Sequence, residues 1–195
     1  GRSRETWQAL CQGQSALQRH PVLSETGDPV PLALMSSLAE PPQTRWLEIC
    51  RNLLQDTMGK APWGGERYPV IVTSSNFGIG QLYAYAQTGR HGALTVARPS
   101  SAVDVLAEAC GWGQNRIIIS NACVSAQLGL IQAARLLDAG LAESVLVFSF
   151  DFLSPFVTGG FHSLKILNEE FPRPFCQSES GSIGLGEGAA YAILG

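Results

Sequence analysis

Arg116-Ile117-Ile118-Ile119-Ser120-Asn121-Ala122-Cys123-Val124-Ser125-Ala126 is the stretch from which the fold of this 195-residue chain is read. Ile117 to Ile119 form a short β-branched run, which suits a strand buried on both faces. The run breaks at small and polar residues and passes directly into an apolar helical segment, Leu128 to Ala139. A cysteine on such a strand-to-helix turn sits near the positive end of the following helix. Unpaired backbone N–H groups and the helix dipole there favour thiolate over thiol. Cys123 is therefore a candidate nucleophile. A small buried core cysteine is the competing interpretation of the same position.

The segments on either side repeat the alternation of strand and helix. Upstream, Tyr68 to Thr73 reads as a buried strand with Ser74-Ser75-Asn76-Phe77-Gly78 as its polar exit loop. Gly80 to Thr88 and Pro99 to Ala109 read as helices, the second opened by Pro99-Ser100-Ser101 and closed near Gly111. Downstream, Ser144 to Phe150 is a strand, Ser154 to Gly160 a loop and Phe161 to Leu167 a short helix. Pro172 to Gly188 is an irregular segment dense in Gly and Ser, and Ala189 to Leu194 a strand of small residues. Towards the N-terminus, Gln43 to Gly59 is helical, with Trp46, Ile49, Cys50, Leu53, Leu54 and Met58 at three- and four-residue spacing. Gly13 to Pro42 has no sustained period and reads as surface loop. Ser3 to Gln12 is a short helix with Trp7, Leu10 and Cys11 on one face. Strands alternating with helices predict an α/β fold around a mainly parallel, buried sheet.

Composition narrows the function classes. Hydrophobic residues make up 45% of the chain and charged residues 15%, as expected of a globular protein with much buried surface. The net charge of -3 and the lack of any Lys/Arg cluster argue against nucleic-acid binding. No apolar run approaches membrane-spanning length, so no membrane partner is expected. The N-terminal residues lead into a polar helix and not an apolar region, so no secretory signal is expected. The 5 cysteines are odd in number and form no CxxC pair. Free thiols in a reducing cytoplasm are the economical interpretation, with no metal site and no cofactor.

Ligands of open α/β sheets collect at the carboxyl ends of strands. Three such ends carry suggestive groups here: Ser74-Ser75-Asn76, Asn121-Ala122-Cys123 and Asp151-Phe152-Leu153-Ser154. The glycine-rich run Gly181 to Gly188 has no lysine after its last glycine and leads into a strand, which argues against a phosphate loop. Its glycines suit close backbone packing around the cysteine turn. A cysteine hydrolase needs a general base. His20, His91 and His162 read as surface or loop residues, His162 having the best claim because it follows Gly159-Gly160 near a strand end.

Several of these stretches together resemble the β-ketoacyl-acyl-carrier-protein synthases, condensing enzymes of the thiolase-like fold. Asn121-Ala122-Cys123-Val124-Ser125-Ala126 is similar to that family's Thr-Ala-Cys nucleophile stretch, and Gln132 to Gly140 to the helix that follows it. Gly159-Gly160-Phe161 with Leu164 and Leu167 is similar to the turn before an arginine-proline segment. Arg173-Pro174-Phe175, then Gly181, then Gly186-Glu187-Gly188-Ala189 resembles the family's RPFD…G…GEGA run. Glu5 to Leu10 with Gly13-Gln14-Ser15 is similar to a helix near the family's amino end.

The resemblance implies that residues 1–195 are the amino-terminal half of a thiolase-like domain, with a mixed, mainly parallel sheet flanked by helices. The family's first strand would precede Ser3, and its carboxy-terminal half, with two histidines, a lysine and a glycine-rich oxyanion loop, has no counterpart. It implies that Cys123 accepts an acyl group from a carrier-protein thioester for decarboxylative Claisen condensation with a malonyl unit, in fatty-acid or polyketide-type synthesis. Its own backbone N–H would help to hold the oxyanion. Phe161, Gly160 and Asn121 would border the acyl pocket, and Gly186, Glu187 and Gly188 would shape the floor beneath the cysteine. The expected partners are an acyl carrier protein and a second copy of the chain, because the family's strand before the cysteine lies at the sheet edge and pairs across a two-fold axis. The chain would be an acyltransferase once complemented by the missing half. A non-catalytic chain-length-factor-like or acyl-binding subunit is the alternative. Cys176 in place of aspartate and Asn121 in place of threonine are departures that fit a divergent subfamily.

Overall fold

The computed structural model describes residues 3–20, 29–35, 42–89, 97–167, 170–173, 175 and 183–195. They fall into two compact units, one made of residues 1–34 and 157–186, the other of residues 35–156 and 187–195.

The larger unit is built on a four-stranded sheet of order β4-β3-β5-β7. Its strands are β3 (Val70–Thr73), β4 (Arg116–Ile119), β5 (Val145–Asp151) and β7 (Gly188–Leu194). β3 pairs in parallel with both β4 and β5, and β7 closes the far side antiparallel to β5. Among the described residues, four α-helices belong wholly to this unit: α2 (Pro42–Leu54, continued by a 3-10 turn over Gln55–Thr57), α3 (Ile79–Thr88), α4 (Pro99–Cys110), and α5 (Ser125–Asp138) between β4 and β5.

Alternation along the strands divides the core into two layers. Val70, Val72, Leu146, Phe148 and Phe150 face one side, where Cys50 and Leu54 of α2 and Val103, Leu106 and Cys110 of α4 cover them. Ile71, Val145 and Val147 face the other side and meet Ala133, Leu136 and Leu137 of α5. The helix approaches the sheet closely at Gly129, where a Cβ would lie 2.7 Å from Thr73 Cγ2 and 3.2 Å from Val147 Cγ1. Gly129→Val should therefore cost about 1–3 kcal/mol, because neither central strand can retreat to admit the side chain. A urea midpoint equal to that of the unsubstituted protein would disprove this close packing.

The strand β4 departs from its sequence reading. All four residues of β3 are buried, but those of β4 are only partly so, and Ile118 is 36% exposed. A β-branched run fits a central and an edge strand equally well, and among the described residues β3 is the only strand beside β4. Its edge position is the one the family resemblance implied.

The smaller unit holds α1 (Ser3–Cys11) and a three-stranded sheet of order β1-β2-β6, with β1 (Gln18–His20), β2 (Val30–Ala33) and β6 (Leu185–Gly186). The loop expected over residues 13–42 thus contains two strands, and Val30 and Leu32 are fully buried. Pro31 weakens the strand signal, yet it is tolerated because β6 pairs only with Leu32 and Ala33. The irregular segment 172–188 likewise contains β6. The other correction concerns α6 (Pro155–Ser163), which runs from one unit into the other and replaces both the expected loop at 154–160 and the expected helix at 161–167. Ser154-Pro155 is a helix-start pattern that Gly159-Gly160 obscured. Trp7 and Leu10 of α1 share a face as expected, but that face is exposed, at 66% and 63%.

Candidate active site

The carboxyl ends of β3, β4 and β5 lie side by side, since Thr73 is in register with both Ile119 and Ser149. Three of the polar stretches singled out in the sequence therefore meet at one end of the sheet. Beyond β4 the chain turns through Ala122, a non-glycine residue held at φ 45°. Such a conformation persists only where surrounding contacts enforce it. Here the enforcing group is Ser125, which is 4% exposed. Its Oγ accepts the Asn121 N–H at 2.8 Å and lies 2.7 Å from the Ala122 carbonyl. Backbone bonds from Val124 N–H to the Asn121 carbonyl and from Ser125 N–H to the Ala122 carbonyl complete the turn.

The turn presents Cys123 as an exposed thiol. α5 starts two residues later with Val124 as its N-cap and no side-chain hydrogen bond to its first turn. No side chain caps that end, and the Val124 and Ser125 N–H groups are taken by the Asn121 and Ala122 carbonyls of the turn. The remaining described cysteines divide by environment. Cys11 is exposed, and Cys50 and Cys110 are buried. Burial pushes the Cys50 thiol well above the ordinary thiol range, with the neighbouring Cys110 adding to the effect. Burial also raises the Cys110 thiol to about 11, partly opposed by Arg51. Cys176 lies outside the described residues.

A second turn stands beside the first. Ser74 donates its hydroxyl to Asp151 Oδ1 at 2.7 Å, and the same carboxylate oxygen accepts the Ser75 N–H at 2.8 Å. Ser74 Oγ in turn accepts the N–H groups of Asn76 and Phe77, at 3.3 and 2.8 Å. Phe77 is another non-glycine residue in the left-handed region, at φ 36°. This turn forms one wall of an open cavity of about 400 Å³ whose lining includes Asn76, Phe77, Ile79, Pro99, Ser120 and Phe156. Ser120 leads directly into the cysteine turn. Phe156 and Pro99 carried no pocket signal in the sequence, because only the tertiary fold brings α4 and the segment after β5 to this place.

The remaining predicted residues are placed as follows. Asn121 begins the cysteine turn. Gly160 and Phe161 lie in α6, in the smaller unit, and Phe161 is half-buried. Gly186 closes on Ala33, with 3.4 Å from a would-be Cβ to that methyl group, and Gly188 has open space around it. Glu187 is an interior anion. Its side chain has no exposure and is paired with Arg45 of α2, through Nη1–Oε1 at 3.0 Å and a closer Nη2–Oε2 contact. It also accepts the N–H groups of Leu153 at 3.1 Å and Met35 at 3.0 Å. Sequence reasoning had placed it on the cavity floor and gave no sign of Arg45 as its partner. His20 and His162 are half-buried, in β1 and α6, and His91 lies outside the described residues. Among the described residues there is no cluster of His, Cys, Asp and Glu able to hold a metal ion. No described helix is long and apolar enough to cross a membrane.

No family model matches the chain, and no curated protein matches it significantly. Solved structures do match it. A β-ketoacyl synthase from Burkholderia phymatum is similar over 98% of this chain and 54% of its own, with a TM-score of 0.74 and 20% identity. A ketosynthase in complex with its chain length factor, from Xenorhabdus doucetiae, is similar over 95% of this chain and 52% of its own, with a TM-score of 0.76 and 23% identity. A ketosynthase of a type II polyketide synthase, in complex with its acyl-carrier protein, is similar over 97% of this chain and 53% of its own, with a TM-score of 0.75 and 17% identity. The chain thus has a ketosynthase-like, thiolase-type α/β fold and spans about half the length of the solved structures it matches.

Proposed function

We propose that this chain is the amino-terminal half of a β-ketoacyl synthase-type acyltransferase, in which Cys123 accepts an acyl group from a carrier-protein thioester. The observation that carries this reading is the Cys123 turn: an exposed thiol on a strained strand-to-helix turn at the start of α5, three residues after Ser120 of the cavity lining. Sγ attacks the thioester carbonyl, the new C–S bond forms, the bond to the carrier sulfur breaks, and the carrier leaves as a thiol on taking up the proton. The backbone N–H of Cys123 itself helps to hold the oxyanion meanwhile. The cavity receives the acyl chain, with Asn121, the residue after Ser120 of its lining, as a further acyl-facing residue. Condensation with a malonyl unit needs groups from a complementing half, so this chain alone supports the transfer step only.

The test is incubation with a medium-chain acyl pantetheine thioester, followed by intact-mass measurement. A single acyl adduct that disappears in Cys123→Ala is expected. No adduct on the folded protein, in a state where Cys123 still alkylates, would favour the alternative of a non-catalytic partner subunit.

A dimer belongs to the same reading. Among the described residues β4 is an open edge with one charge, Arg116, at its start, and that charge is tied to Asp104 at 2.8 Å. Unpaired N–H and C=O groups along such an edge are satisfied when a second copy pairs with it across a two-fold axis. Ile118→Lys should shift the protein towards monomer in multi-angle light scattering. A folded monomer at micromolar concentration for the unsubstituted chain would exclude this pairing.

A further inference from the structure

The two strained turns at the strand ends are joined by a single set of side chains. Ser125 Oγ, which clamps the Ala122 turn, also lies 3.3 Å from the carbonyl oxygen of Ser74. The Ser74 hydroxyl holds the Phe77 turn and is itself bound by Asp151. The β3–β4 ladder ends here as well, with Ser74 N–H donating to the Ile119 carbonyl at 3.3 Å. Ser74 and Ser125 are buried, at 2% and 4% exposure, and each hydroxyl has its partners within the protein. The Ser74 hydroxyl reaches Asp151 at the end of β5, and the Ser125 hydroxyl at the start of α5 reaches the Ser74 carbonyl. Both bonds serve turns, and both turns contain a non-glycine residue at positive φ.

From this we infer that Ser74 and Ser125 are positioning residues that lock the Cys123 turn and the cavity wall at Phe77 into one register, with Asp151 as their anchor. The inference rests on the reading of Cys123 as an acyl acceptor. In physical terms, Ser125 removes the freedom of Ala122 to relax out of the left-handed region. A relaxed turn would swing the thiol by about an ångström, enough to lose roughly 10- to 100-fold in a transfer that depends on alignment with a chain held in the cavity. A small reagent that needs no alignment should notice the same change far less.

The experiment compares two rates at Cys123 in the Cys11→Ser background: acyl transfer from octanoyl pantetheine and alkylation by iodoacetamide, both read by peptide mass. Ser125→Ala should lower acyl transfer about 10- to 100-fold and alkylation by about threefold at most. Ser125→Thr, which keeps the hydroxyl, should restore transfer to within about threefold of the starting protein. Ser74→Ala should lower transfer as well, and Asp151→Asn, which keeps an acceptor oxygen, should change it little. Circular dichroism and the urea midpoint report folding for each variant. If Ser125→Ala fails to fold, Ser74→Ala and Asp151→Ala, at the open end of the sheet, carry the same comparison. Folded variants whose acyl transfer equals that of the starting protein, or a loss that Ser125→Thr does not rescue, would overturn the inference. If the starting protein alkylates at Cys123 but takes up no acyl group, the acyl-acceptor reading fails. The positioning claim is then decided on hydrogen exchange of the Asn121 amide, where protection unchanged by Ser125→Ala overturns it.

Discussion

Arg45→Ala should destabilise the protein by about 3–5 kcal/mol, the loss expected when one partner of a buried ion pair is removed and the other stays. The carboxylate left behind is that of Glu187, whose side chain has no exposure, while Arg45 itself is 9% exposed. Coulomb attraction between the two is largely offset by the cost of taking both from water, so the pair is no large net source of stability. The penalty arises from stranding one charge. Arg45 also lies over the Phe152 ring, 5.7 Å from its centroid, and that contact goes with it. Glu187→Ala should cost a similar amount for a different reason, because the N–H groups of Leu153 and Met35 lose their acceptor. The double variant should fall well short of the sum, since its second substitution no longer strands a charge. Urea unfolding followed by circular dichroism measures all three. A loss below about 1 kcal/mol for Arg45→Ala would mean that the pair behaves as a surface salt bridge.

Cys123 should alkylate roughly 1,000- to 10,000-fold faster than Cys50 in the native protein. Cys50 is fully buried, so a reagent reaches it only through opening, and a unit stable by about 5 kcal/mol is open roughly once in 5,000. Cys110 should be protected in the same way, less completely because it is 8% exposed. Burial favours the neutral form of both thiols, Cys110 being raised to about 11. The sign follows directly. This contribution to stability is complete below the thiol pKa of the unfolded chain, near 8.5 by reference values, and is lost as the pH rises from there through about 11. Iodoacetamide labelling at neutral pH, with and without urea, tests the ranking by peptide mass. Cys11 is exposed and serves as an internal reference. Labelling of Cys50 or Cys110 before Cys123 would refute the site assignment.

Much of this was legible in the sequence because local rules fix it. The β-branched run before Cys123, the apolar period of Leu128 to Ala139 and the helix start at Pro99 each produced the element the structure contains. So did the placing of Ser74-Ser75-Asn76, Asn121-Ala122-Cys123 and Asp151 at strand ends, which follows from the way a parallel sheet collects polar groups at its carboxyl edge. Short strands with poor signals were missed. β2 is held by its neighbours and by the burial of Val30 and Leu32, and Pro31 argues against it locally. Helix α6 was hidden behind two glycines that a local rule reads as a turn.

By itself the sequence determined the α/β class, the order of the main elements and the turn on which Cys123 stands. Those depend on period, capping and chain direction, which are properties of neighbours along the chain. The tertiary structure decided that β4 is an edge and β3 a centre, since composition does not distinguish strands that are apolar alike. It decided that Glu187 is the buried partner of Arg45, 142 positions away. It decided that Ser125 reaches Ser74, and Ser74 reaches Asp151, across separations of 51 and 77 positions. Such pairings are set by which strand lies beside which, and a side chain carries no mark of a neighbour that only sheet order supplies.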